Sequence, residues 1–254
     1  MSSSYTVTRD QIISLALRKL GVLEIGDTPD ANSIANASMS LNLLIKQLGT
    51  EGLKLWKNSE LIIPLTSGKT MYTLGGASSD LMYDSLAPTV AITDKPLKVI
   101  QGFYRNIGTS PYIDVPLQVL SKQEYNTLGS KFSTGTANSI FYDVKLRNGL
   151  MYVYLTPDAN AQSNLQMHLV AQMPINDVTS GNEIPDFPNE WMNCLVWNLA
   201  DQMAIEYGVP MNYRQEIATR AKAYKDQLTD WDVETTSTFF QPDMRSFMAN
   251  PYAR

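Results

Sequence analysis

Three carboxylates, Glu183, Asp186 and Glu190, fall within eight residues of one another. Two such groups across a sugar ring are the basic equipment of a glycoside hydrolase, one as general acid and one as nucleophile or base. The same residues stand just before and at the start of a predicted helix. Negative charge there meets the positive end of the helix dipole, which accounts for them without a substrate. His168 is the single histidine and sits in the alternating stretch Leu165–Val170. A zinc site needs further His or Cys ligands, and the sequence has no second histidine and only Cys194. A pairing of His168 with Ser163 would lack the strained G-x-S-x-G turn that presents a serine nucleophile. His168 therefore reads as a structural or surface residue, and Cys194 as a small core residue of a helix. Asp226, Asp230, Asp232 and Glu234 do not have the spacing of a calcium loop and read as a solvated helix end. Gly75-Gly76 and Gly108 are not followed by the Lys and helix of a phosphate-binding loop. Trp56, with Lys54 and Lys57 nearby, could stack on a nucleotide base. At the end of an amphipathic helix, it reads first as a packing residue. No catalytic, cofactor or metal set emerges, and the chain is expected not to be an enzyme.

Composition narrows the partners. The chain has 254 residues, 44% hydrophobic and 18% charged, with a formal net charge of -5. That is enough for one large or two smaller globular units. The basic footprint that grips phosphates is missing, so sequence-specific nucleic-acid binding is not expected. An acidic wall past which DNA slides is compatible. One cysteine excludes an intrachain disulfide framework. The opening MSSSYTVTRD lacks the basic and apolar parts of a signal peptide, and no run approaches the ~20 apolar residues of a membrane span. The expectation is a soluble protein made in a reducing cytoplasm.

The elements that would position these residues follow from periodicity. Thr8-x-x-Gln11 is a capping box opening a helix whose face carries Ile13, Leu17 and Leu20, with Gly21 as its stop. Thr28-Pro29 opens a second helix running to about Leu53, with Ile34, Leu41, Leu48 and Leu55 recurring every seven residues. From Lys57 to about Pro185 the pattern shortens. Leu61–Leu65, Thr70–Leu74, Leu97–Tyr104, Tyr112–Leu120, Ser139–Leu146, Leu150–Leu155 and Leu165–Ala171 read as strands. Asn148-Gly149 suggests a two-residue hairpin turn. Ser121 with Glu124 caps a short helix, and 75–94 reads as a long loop. Helix resumes at Asp186-Phe187-Pro188, with Trp191, Leu195, Leu199 and Met203 on one stripe. A last helix from Asn212 carries Ile217, Ala221, Tyr224, Leu228 and Trp231. The expected fold class is α+β: an antiparallel helix bundle made by residues 1–56 and 186–234, with an inserted, mostly antiparallel β domain at 57–185. An extended arm, 235–254, completes it. That arm holds Phe239, Phe240, Met244, Phe247, Met248 and Tyr252 with no period that would bury them on itself. Such side chains need a surface supplied by another molecule.

Several of these segments together resemble the head-to-tail adaptor proteins of tailed bacteriophages, also called packaged-DNA stabilisation or tail tubular A-like proteins. The resemblance rests on residues 8–22, Asp27-Thr-Pro, Glu51-Gly-Leu-Lys-Leu-Trp56, Pro185-Asp-Phe-Pro-Asn-Glu-Trp191, Asn198-Leu-Ala200, Glu206-Tyr-Gly208-Val-Pro and Phe239-Phe-Gln-Pro-Asp243. It covers about the first 56 residues and residues 184–243, while the β segment matches in style only. It implies a virion neck protein without cofactor, forming a homo-oligomeric ring, a dodecamer, beneath the portal protein. Such a ring extends the DNA channel without sequence-specific binding and gives the tail (nozzle or tube) protein its platform. The helices would form the bundle, the β insertion would face the tail, and the arm residues Phe239, Phe240, Met244, Phe247, Met248 and Tyr252 would dock on the portal. Two other readings stay open: a different neck component, such as a stopper or tail-completion protein, and a virion-carried cell-wall hydrolase using Glu183, Asp186 and Glu190.

Overall fold

A computed structural model describes residues 6–51, 55–76 and 79–231. The arm residues Phe239, Phe240, Met244, Phe247, Met248 and Tyr252 lie outside the described residues, as do Lys54, Asp232 and Glu234. The chain opens with α1 (Arg9–Lys19) and α2 (Ala31–Thr50). Nine strands follow: β1 (Asn58–Pro64), β2 (Met71–Leu74), β3 (Tyr83–Asp84), β4 (Ala87–Ala91), β5 (Lys98–Asn106), β6 (Ile113–Leu120), β7 (Ser139–Val144), β8 (Gly149–Tyr154) and β9 (Leu165–Gln172). Two short helices interrupt them, α3 (Lys122–Thr127) and α4 (Ala159–Asn164), and α5 (Met192–Met203) and α6 (Met211–Trp231) close the described chain.

The expected architecture, a helix bundle carrying an inserted β domain, is corrected. The molecule is mixed α/β, and a curled nine-stranded sheet dominates it. The strand order is β2-β8-β7-β6-β5-β9-β1-β3-β4, and every pairing is antiparallel except β6 with β7. β9 is the keystone. It pairs with β1 along Asn58–Pro64 on one side and with β5 along Lys98–Asn106 on the other. The sheet curls until its ends meet, where the Gly76 N–H donates to the Thr93 carbonyl at 3.0 Å and the Asp80 N–H to the Thr73 carbonyl at 2.7 Å. Alternation along the strands then puts Leu61, Ile63, Tyr72, Leu74, Ile140, Met151, Val153, Met167 and Leu169 inside the curl as one core.

The helices build a second core around α5. Ile12, Ile13 and Leu17 of α1, Leu41, Leu44 and Ile45 of α2, Leu195 and Leu199 of α5 and Ile217 of α6 meet there. Local chemistry sets the helix ends. The Thr8 N–H donates to Gln11 Oε1 at 2.9 Å, and the Ser121 N–H to Glu124 Oε2 at 2.7 Å, so both capping boxes form. In α2 the cap is Asp30 rather than Thr28, its carboxylate accepting the Ser33 N–H at 3.4 Å. Trp231, assigned to the buried stripe, is 70% exposed.

Two strand-level expectations also change. The loop expected over 75–94 contains β3 and β4, which extend the sheet beyond β1. The Asn148-Gly149 turn is longer than expected, since Val144 pairs with Gly149 and residues 145–148 form the loop. Gly149 is the first residue of β8, without positive φ. Its role is space: a Cβ there would run into the ring and hydroxyl of Tyr142, which donates to the Pro96 carbonyl at 2.6 Å.

Candidate functional site

The residues singled out for chemistry do not converge. Glu183 is tied into its own loop: its carboxylate accepts from the Thr179 N–H at 2.8 Å, the Ser180 N–H at 3.0 Å and the Thr179 hydroxyl at 3.2 Å. Those bonds, led by the Ser180 amide, hold its pKa below the usual carboxylate value. Asp186 pairs with Lys57. Glu190 lines a 380 Å³ groove between α5 and α6 with Asn193, Tyr224, Gln227, Leu228 and Trp231. Two of the three acids thus have structural partners, Glu183 within its loop and Asp186 across to Lys57 at the start of the sheet. Trp56 packs there too, its ring centroid 5.0 Å from Trp191 and 5.9 Å from Phe187. It is a packing residue of the second core, not a free stacking platform.

His168 is buried at the centre of the sheet. Its Nδ1 lies 2.7 Å from Glu60 Oε1, its ring stacks on Phe103 at 4.9 Å, and its Nε2 is buried without a hydrogen-bond partner. Arg105 and Asp114 form a bidentate pair on the neighbouring strands at 2.7 and 2.8 Å. Ser163 is not its partner, because that hydroxyl donates to the Ala159 carbonyl within α4. Cys194 is buried, with Asn198 Nδ2 3.3 Å from its Sγ. Asp226 and Asp230 line a shallow 520 Å³ cavity with Glu51, Lys225 and Thr229. Among the described residues no group of three or more His, Cys, Asp or Glu is placed to hold a metal ion, and no helix is long and apolar enough to cross a membrane. Gly76 serves the seam of the curl, and the Gly108 N–H donates to Asn106 Oδ1 in the β5–β6 loop.

Exposed apolar side chains are spread over the surface, Leu86 and Leu146 among them, and two groups of them stand on loops at opposite ends of the molecule. The α1–α2 loop and the α5–α6 loop lie side by side at the end of the helices away from the sheet, joined by the Tyr213 hydroxyl donating to the Lys19 carbonyl at 2.8 Å. They present Val22, Ile25, Ile205 and Met211, with Ile25 95% exposed. At the far end of the sheet another set of loops is stitched together. The Gly68 N–H donates to the Pro157 carbonyl, the Ile107 N–H to Asn164, and the Gly135 N–H to Thr156, at 2.8–2.9 Å. These loops present Ile107, Tyr112, Ile113 and Phe132, with Phe132 82% exposed. Single exposed apolar residues are ordinary, and these two groups are candidates for a contact surface because the fold sets them on neighbouring loops. The sequence does not announce either group: Val22, Ile25, Ile107, Phe132 and Ile205 are single apolar residues of loops, Tyr112 and Ile113 stand at the start of a strand and Met211 opens α6, and only the fold brings them to the same ends. No protein-family model matches the chain, and no curated protein matches it either.

Proposed function

We propose that the chain is a structural component of a phage neck, a head-to-tail adaptor that joins a portal to a tail as one copy in a ring. The observation that carries this reading is the pair of exposed apolar groups on loops at opposite ends of the molecule. A protein that joins two bodies needs two separate faces, and these are separated by the length of helices plus sheet. The resemblance of the terminal segments supports the same reading. The net charge of -5 suits a channel wall that lets DNA pass without gripping it.

The origin of the arm supports it further. α6 ends by the start of α5, where Trp231 lines a groove with Glu190, and its Lys225 reaches Glu51 at the end of α2 at 2.8 Å, next to the junction of helices and sheet. The residues after Trp231 number 23, and extended they would reach roughly 76 Å. The helices span only about 30 Å. An arm starting at the junction can therefore pass either end of its own subunit and engage a neighbouring body. A contact through a few anchors such as Phe239, Phe240 and Phe247 would be weak in one copy, and repetition around a closed ring would make the attachment strong.

Deleting residues 232–254 tests the reading. The melting temperature should stay nearly unchanged while co-sedimentation with portal rings is lost. A truncated chain that binds portal like the full one overturns the arm's role. Electron microscopy of portal complexes separates the adaptor from a stopper or tail-completion protein, since only the adaptor touches the portal directly. The hydrolase reading has lost two of its three carboxylates to structural partners. It would return only if purified protein cleared peptidoglycan and Glu190→Gln abolished the clearing.

A further inference from the structure

α2 is an unusual surface helix. Over its 20 residues it carries one charged side chain, Lys46, and that is paired with Asp177 at 2.6 Å. Its inner face is fully committed, with Ala37, Leu41, Leu44, Ile45 and Leu48 buried. Its outer face is not: Ala35, Asn36, Met39 and Leu43 are exposed at helical spacing, Met39 by 69% and Leu43 by 64%. The side chains between Asp30 and Lys46 are uncharged without exception. Exposed helix faces of a soluble protein are ordinarily charged, whereas interface centres are depleted of charge and enriched in Met.

We infer that the outer face of α2 is the contact between neighbouring copies of this chain, an inference that rests on the ring reading above. Charge selects the occupant. A polyanion would call for basic side chains on this face, and a strongly basic partner for acidic ones, and the stripe has neither. Two copies of a chain with net charge -5 repel at long range. They approach at lowest cost through a face that adds no like-charge pair, and this helix supplies one. Asn36 and Asn32 can hydrogen-bond across such a seam, while Ala35 leaves room for close approach. The size of the stripe sets the strength. From Asn32 to Leu43 it is about 17 Å long and about 10 Å wide, about 170 Å² of a standard interface's roughly 800 Å² per partner. Each contact is therefore weak and reversible, and the free chain self-associates only at high concentration.

The test uses the full chain alone, with a benzophenone side chain at position 36, both in the otherwise unaltered chain and in the double variant Met39→Asp/Leu43→Asp. Sedimentation velocity is followed as concentration rises from about 10 µM to about 1 mM. The expected result is a mass that climbs with concentration, a photo-crosslink from position 36 to a peptide of this same chain, and loss of both in the aspartate variant at unchanged melting temperature. A mass that stays monomeric throughout, or self-association that survives the two aspartates, overturns the inference. Portal binding by the same variant reads the adaptor function separately. An aspartate variant that still co-sediments with portal as single copies removes only the copy–copy contact. Loss of portal binding by the unmodified chain removes the adaptor reading instead.

Discussion

At the residue scale the most informative side chain is His168, because its two nitrogens have unequal fates. Nδ1 meets Glu60 at 2.7 Å, while Nε2 is buried and unpartnered. Glu60 keeps about a third of its side chain in solvent, and His168 almost none. The two partners are therefore not equivalent under mutation. Removing His168 leaves a carboxylate that can turn to water. Removing Glu60 leaves an imidazole with both nitrogens buried and unsatisfied, at about 1–3 kcal/mol for the stranded group. The expected order in urea unfolding is that Glu60→Ala destabilises by about 1–3 kcal/mol, and His168→Leu, packed against Phe103, by less. The reverse order would show that the ring contributes through packing and not through its bond to Glu60. This role was only half legible in the sequence. The alternating stretch around His168 marks a strand, but nothing local names Glu60, which lies 108 residues away and meets it only through the β1–β9 register.

At the element scale the loop 179–183 does more than its length suggests. It supplies carbonyls to the first amides of α1, the Arg9 N–H donating to Glu183 at 2.9 Å and the Asp10 N–H to Gly181 at 3.2 Å. Arg9 returns a bond to the Thr179 carbonyl at 2.7 Å. The Glu183 carboxylate holds the loop in that shape by accepting from Ser180 and Thr179, and those bonds depress its pKa. A depressed carboxylate stabilises the fold above the ordinary glutamate pKa of about 4.3, and that stabilisation is lost as pH falls through the lower folded-state value. The melting temperature should therefore fall on acidification in that window. Glu183→Gln should lower it at neutral pH and flatten this part of the acid limb. An acid limb of unchanged slope in Glu183→Gln would place the titration elsewhere. The same loop shows why some elements are readable and others are not. α1 and α3 are legible because Thr8 with Gln11, and Ser121 with Glu124, are self-contained signals three residues apart. The stripe of α5 is legible because Trp191, Leu195, Leu199 and Met203 share one face. β3 has two residues and β4 is an exposed edge, so their signal is the register with β1, which no local period carries. The dominance of the sheet was hidden for the same reason: seven separate runs do not announce that β9 will join them into one curl.

At the scale of the whole molecule the two apolar groups are set apart by the fold. Val22, Ile25, Ile205 and Met211 sit where the helices turn, and Ile107, Tyr112, Ile113 and Phe132 sit where the sheet ends. All eight are exposed to a degree that spares the cores, so replacing them by aspartate should change folding stability by no more than about 0.5 kcal/mol. If the chain joins two bodies, the two clusters must fail independently. Ile25→Asp/Met211→Asp should weaken retention on portal rings and leave tail attachment to pre-formed complexes intact. Tyr112→Asp/Phe132→Asp should do the opposite, since the resemblance puts the β side toward the tail. The effect per copy is small. A loss of about 0.5 kcal/mol repeated over roughly twelve ring positions, the number the resemblance implies, sums to about 6 kcal/mol. The measurement is therefore made on assembled complexes, by counting portal-bound and tail-bound particles in electron micrographs, and not on the isolated chain. If both variants lose the same partner, the two clusters are one functional surface and the molecule does not bridge. If neither loses any, the apolar ends are incidental and the adaptor reading is left with the arm alone.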